Sequence, residues 1–151
     1  IMSSISALAN VHLEGQFGDC ENKKENDLLK IIEIKNLLIV QIVQFKNSTI
    51  SIKNIDLDGL KLNEKPLSVT NNKDTRILWN GPKNWILVST KKDLLKDILQ
   101  KFKETDFAVT DLSHSRAIIE IEGQNVKEVL KKGCPFNFNL LEKNNSVNSI
   151  Y

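Results

Sequence analysis

Asp111, Ser113 and His114 stand close together, followed directly by Ser115 and Arg116, and Cys134 closes the same stretch, "DLSHSRAIIEIEGQNVKEVLKKGCP" (111–135). A serine to attack, an imidazole to take its proton and a carboxylate to orient the imidazole are the ingredients of nucleophilic hydrolysis. Their spacing speaks against that chemistry. In an extended segment successive side chains alternate sides, so Asp111 and Ser113 share a face while His114 points away from both. A triad requires all three to converge on one hydrogen-bonded line, which near neighbours in one strand do not reach. What these residues suit is local work, with Asp111, Ser113 and Ser115 bonding the open backbone of a turn between two strands. His114 and Arg116 leave two readings open: a bridge to acidic groups on a neighbouring element, or a contact to a cofactor or partner.

Cys134 follows a predicted helix end and precedes Pro135, so it lacks the helix N-terminus that activates a thiol. Cys20 and Cys134 are far apart, with no CxxC spacing and too few histidines for a four-ligand zinc site, and both read as reduced thiols of the cytoplasm. Gly81 falls in a hairpin turn, so no glycine-rich strand-to-helix loop is available to cradle phosphates. No catalytic, cofactor-binding or metal-binding residue is therefore assigned to this chain. Trp79 and Trp85 flank the turn "NGPKN" and keep two readings, buried ends of adjacent strands or an aromatic anchor for a partner.

The elements that position these residues follow from periodicity. "IIEIKNLLIVQIVQF" (31–45) is β-branched and apolar enough for two buried strand pieces, broken near Lys35 and Asn36. "STISIKNIDLDGLKL" (48–62) has near-helical apolar spacing, shortened by Gly59 and several Asx residues. "RILW" and "WILVST" form a hairpin around the turn, and Thr90 with Asp93 makes a capping-box pattern ahead of a helix striped by Leu94, Leu95, Ile98, Leu99 and Phe102. "FAVTDLS" (107–113) and "RAIIEIE" (116–122) read as strands. A short helix follows with Val126, Val129 and Leu130 inward, and Gly133 is placed to stop it in the left-handed conformation. Hairpins between some strands and helices between others predict an α+β fold, a mainly antiparallel sheet with helices on one face.

The 151 residues suit one domain able to bury a core without disulfides or metals. The composition, 40% hydrophobic and 26% charged, is that of a soluble globular protein, and no apolar run is long enough to span a bilayer. A net charge of +2, with lysines interspersed among acids, argues against nucleic acid and anionic membrane as partners. Residues 1–30, with Gly15, Gly18 and the polar run "CENKKEN", are expected to be a flexible arm, and 31–151 a single domain. The N-terminus lacks a secretory signal pattern. An isoleucine ahead of Met2 reads as a foreign leftover, and "NSVNSIY" stops in mid-pattern, so a natural C-terminal segment is expected beyond it.

"RILWNGPKNWILV" (76–88), followed after one helix by "VTDLSHSRAIIEIEGQNVKEVLKKGCPFNF" (109–138), resembles the gamma subunit of heterotetrameric sarcosine oxidase. That family carries a similar tryptophan-flanked Gly-Pro hairpin, an aspartate-serine-arginine junction, a strand ending in glycine and a helix closing on Lys-Gly-Cys-Pro. The central block is also similar to the N-terminal part of folate-dependent aminomethyltransferases, although Ser115 stands where those enzymes usually have methionine. The resemblance implies a folate-binding-type α+β fold with ferredoxin-like elements. It does not carry over a folate site, and those enzymes are more than twice as long. It implies a non-catalytic subunit supporting assembly of a complex that demethylates sarcosine oxidatively to glycine, with hydrogen peroxide and, given tetrahydrofolate, methylenetetrahydrofolate. FAD, FMN and NAD are then expected in the alpha and beta subunits and zinc in the delta subunit, with none in this chain. Trp79, Trp85, His114 and Arg116 are the candidate subunit contacts. A free-standing folate-binding or aminomethyltransferase-like protein is the alternative.

Overall fold

A computed structural model describes residues 5, 6, 8–11, 14–18, 21 and 28–148. The described chain is mixed α+β, and every named strand pairing in it is antiparallel. Where the sequence suggests one domain with one sheet, the chain divides into two compact units, Ile1–Lys35 with His114–Glu142 and Ser149–Tyr151, and Asn36–Ser113 with Lys143–Asn148. Each has its own sheet.

The second unit is built on strands β3 (Leu38–Gln44), β6 (Val69–Asn71), β7 (Thr75–Gly81), β8 (Asn84–Ser89) and β9 (Phe107–Asp111), in the order β6-β7-β8-β3-β9. Alternation puts Leu38, Val40 and Ile42 of β3 on one face beside Trp85 and Leu87 of β8, Ile77 of β7 and Phe107 of β9. Helix α1 (Leu94–Lys101) brings Leu94 and Ile98, with Phe102 just after it, into the same buried cluster, together with Ile52, Leu57 and Leu62. Phe102 and Phe107 meet edge to face at 4.8 Å. Removing each such side chain from water contributes about 1.5–3 kcal/mol, which makes this cluster the main source of the unit's stability.

The stretch read as near-helical folds mostly otherwise. It holds one 3-10 turn, Ile52–Asn54, and a small hairpin of β4 (Asp56–Leu57) and β5 (Leu60–Lys61). The turn residues decide: Asp58 and Gly59 both take positive φ, and Asp56 Oδ1 accepts the Gly59 N–H at 2.9 Å. The capping box does not form, since Asp93 is the N-cap residue of α1 and makes no side-chain cap bond.

The first unit holds a three-stranded sheet in the order β1-β2-β10, from β1 (Gly15–Phe17), β2 (Leu29–Ile34) and β10 (Ile118–Glu122). The stretch expected as an arm thus supplies β1, paired to β2 from Gly15 opposite Ile31 to Phe17 opposite Leu29. Helix α2 (Val126–Gly133) buries none of its residues. Val126 and Leu130 are half-buried, but Val129, expected inward, is exposed. Gly133 is the last helical residue and does not adopt the left-handed conformation; the chain leaves through Cys134 in an extended conformation.

Candidate functional site

The polar cluster at the end of β9 is held by backbone. Asp111 Oδ1 accepts the Ser113 N–H at 2.9 Å and its hydroxyl at 2.5 Å. The same Ser113 Oγ accepts the Ile39 N–H at 3.0 Å, and Leu112 N–H donates to Ile39 O at 2.8 Å. A hydroxyl that donates to one carboxylate and accepts from a main-chain amide is committed to a turn, as the alternation of side chains predicts. Ser113 ends its run in the second unit and His114 begins the next run in the first.

His114 and Arg116 are both exposed, and Arg116 Nη1 donates to the neighbouring Ser115 O at 2.9 Å. The two tryptophans part company. They lie directly opposite each other on β7 and β8, but Trp85 is fully buried and its Nε1 donates to Asn63 O at 2.8 Å. Trp85 is thus a core residue, and its expected role as a surface contact falls because no part of the ring reaches the surface. Trp79 is half-buried; its Nε1 and the Oγ of Ser68 are buried atoms without a hydrogen-bond partner among the described residues. Cys134 is half-buried and not disulfide-bonded, its N–H bonded to Leu130 O at the C-terminal end of α2. Cys20 lies outside the described residues.

Sequence reasoning missed a dense polar network. Asp58, at the β4–β5 turn, accepts from Lys91 Nζ at 2.7 Å, Thr75 Oγ1 at 2.7 Å and Asn72 Nδ2 at 3.1 Å. Those three hydrogen bonds favour the carboxylate and hold Asp58 down to about 2, while Asp58 in turn raises Lys91. Because the Thr75 hydroxyl donates to Asp58, the Ser89 hydroxyl 2.8 Å away donates to Thr75, and Ser89 Oγ accepts the Lys91 N–H. Thr75 and Ser89 are a buried cross-strand pair on the core face, so the chain of bonds ties the small hairpin to the main sheet. The "DLDGL" turn was a visible signal, but the partners of Asp58 lie 14 to 33 positions away and only the fold brings them together.

In the first unit a groove of about 450 Å³ is lined mainly by apolar side chains, among them Ile121, Val126, Leu130, Phe138 and Leu141. Among the described residues no group of three or more His, Cys, Asp or Glu side chains is placed to hold a metal ion, and no helix is long and apolar enough to cross a membrane.

An α+β chain of antiparallel sheets, with its polar residues engaged in turns, has a counterpart among solved structures. The heterotetrameric sarcosine oxidase from Corynebacterium sp. U-96, in complex with pyrrole 2-carboxylate, contains a chain that superposes with a TM-score of 0.64 at 23% identity, over 74% of this chain and 58% of that one. That likeness shows a shared fold. In sequence, the chain is similar to the sarcosine oxidase subunit gamma of Corynebacterium sp. (strain U-96), 36% identical over 62 residues, which is 40% of this chain and 30% of that protein. The match thus spans under a third of the curated relative. No protein-family model matches the sequence.

Proposed function

We propose that this chain is a non-catalytic gamma-type subunit of a heterotetrameric sarcosine oxidase, supporting assembly of the complex. One observation carries the reading: a likeness in sequence and a likeness in fold, found separately, lead to the same kind of assembly. On this reading the alpha, beta and delta chains are the partners. FAD, FMN, NAD and zinc reside in them, and the complex works in the cytoplasm, turning sarcosine into glycine and hydrogen peroxide and passing the one-carbon unit to tetrahydrofolate. The chain's own part is to present surface, and Trp79, His114 and Arg116 are the contacts retained for it.

Co-expression of the tagged chain with alpha, beta and delta chains of a sarcosine oxidase tests this. The expected result is a stoichiometric complex that forms peroxide when sarcosine is added. A well-ordered chain that purifies alone and leaves the three behind overturns it. In the same assay His114→Ala with Arg116→Ala is expected to weaken retention roughly tenfold, the range for truncating an arginine-centred contact. Calorimetry of the isolated chain with tetrahydrofolate is expected to show no saturable heat, and binding there would instead favour a free-standing folate protein.

A further inference from the structure

The sheet order β1-β2-β10 leaves β10 at an edge among the described residues. It pairs with β2 through all five of its residues in unbroken register, and it contains no proline and no bulge. Edge strands present unpaired backbone groups, and proteins usually blunt them by shortness, charged side chains, proline or bulges. β10 has two glutamates as its only charges, both on one face alongside apolar residues. Ile118, Glu120 and Glu122 point to one face; Ile119 and Ile121 point to the other, and Ile119 is 45% exposed.

The unit around this edge is thin. Among the described residues only Leu29 and Phe138 of its apolar side chains are buried, whereas most of the large exposed apolar side chains described belong to it, Phe17, Ile34, Ile119 and Val129 among them. A sheet with so little of its own core is completed by added surface.

We propose that the free edge of β10 takes up a strand from a different polypeptide, one that alternates basic with apolar residues. Charge selects this partner over a second copy of the chain. Antiparallel self-pairing through all five residues sets Glu120 against Glu120, and a shift toward the C-terminus sets Glu120 against Glu122 twice. A shift the other way leaves only Ile118–Glu120 paired. Like charges directly opposite destabilise a ladder, whereas a basic residue there turns repulsion into attraction. β2 already follows this logic on the other side, where Lys30 lies opposite Glu122 with Nζ 3.8 Å from Oε2. A basic strand on the open side continues the alternation of sign across the sheet.

The claim that the strand comes from another chain rests on the subunit reading above, but its test does not need the oxidase subunits. The chain is mixed with its own E120K/E122K variant, which carries the required strand. Hydrogen exchange at residues 118–122 is expected to slow at least about tenfold in the mixture and not in either protein alone. A synthetic heptapeptide alternating lysine and isoleucine, with the same readout, covers a variant that fails to fold. Unchanged exchange at 118–122 with both probes, or the same slowing in the unmixed wild-type chain, overturns the proposal. Failure here leaves the co-expression result untouched, so the two readings are separately decidable.

Discussion

Ser113 shows how far residue type alone misleads, since its hydroxyl is taken up by Asp111 and by the Ile39 amide. Ser113→Ala removes the acceptor for an amide in a buried stretch of β3, and by ordinary hydrogen-bond energetics it costs about 1 kcal/mol of stability. Urea titration is the measurement; in the assembled complex the same variant is expected to leave turnover unchanged. Asp58 makes a prediction of a different kind. Its carboxyl is held at about 2 against an ordinary 3.8, so the ionised form is favoured in the folded state. Stability from this source is fully present above the ordinary value and is lost as pH falls through about 2. Asp58→Asn is therefore expected to lower the melting temperature at pH 5 and above, with the gap to wild type closing between pH 4 and pH 2. A gap that persists to the acid end of that range would mean that the carboxylate's charge plays no part.

At the scale of elements, Gly123 joins β10 to α2 with φ +145, a conformation that L side chains rarely adopt. A Cβ there would stand 2.7 Å from Leu29 Cδ2 and 2.8 Å from the backbone oxygen of Leu28, and that oxygen cannot turn aside as a side chain can. Gly123→Ala is expected to cost roughly 1–3 kcal/mol, read as faster hydrogen exchange in β2 and β10. The glycine itself was visible in the sequence as the end of a strand, but the strand it presses against was not. The same division runs through the fold. The hairpin around Pro82 and Lys83, the strand break near Asn36 and the stripe of α1 were legible because each is set by residues close in sequence, although Leu99, expected in that stripe, is exposed. β6 and β1 were not: "VTN" and "GQF" are too short and polar to carry a period, and they are strands only because β7 and β2 offer them partners. The Asp58 turn was misread for a related reason, since Ile52 and Ile55 imitate a helical period that Asp58 and Gly59 interrupt. The burial of Trp85 beside a half-buried Trp79 depends on Asn63 and the core beneath β8, neither of which the paired tryptophans announce.

At the scale of the whole molecule the two units are unequal, and the inequality bears on the subunit reading. The second unit holds a continuous cluster from Leu38 to Phe107 around α1, with interior polar groups such as Gln44 satisfied by Ser48 Oγ and Ile50 O. The first relies, among the described residues, on a three-stranded sheet and a helix with no fully buried residue. Local opening follows buried apolar area and protected hydrogen bonds, so the units should differ in exchange even where both are folded. Amides of β3 and β8 are expected to exchange slowest in the isolated chain, and those of β2 and β10 faster by roughly ten- to a hundredfold. Binding to partners stabilises whatever they contact, so assembly should close that gap from one side, protecting β2 and β10 while β3 and β8 change little. Peptide-resolved exchange before and after assembly with the alpha, beta and delta chains separates the outcomes. Equal protection of both units in the isolated chain would show that the first unit needs no partner, and added protection confined to β3 and β8 would move the docking surface to the other unit.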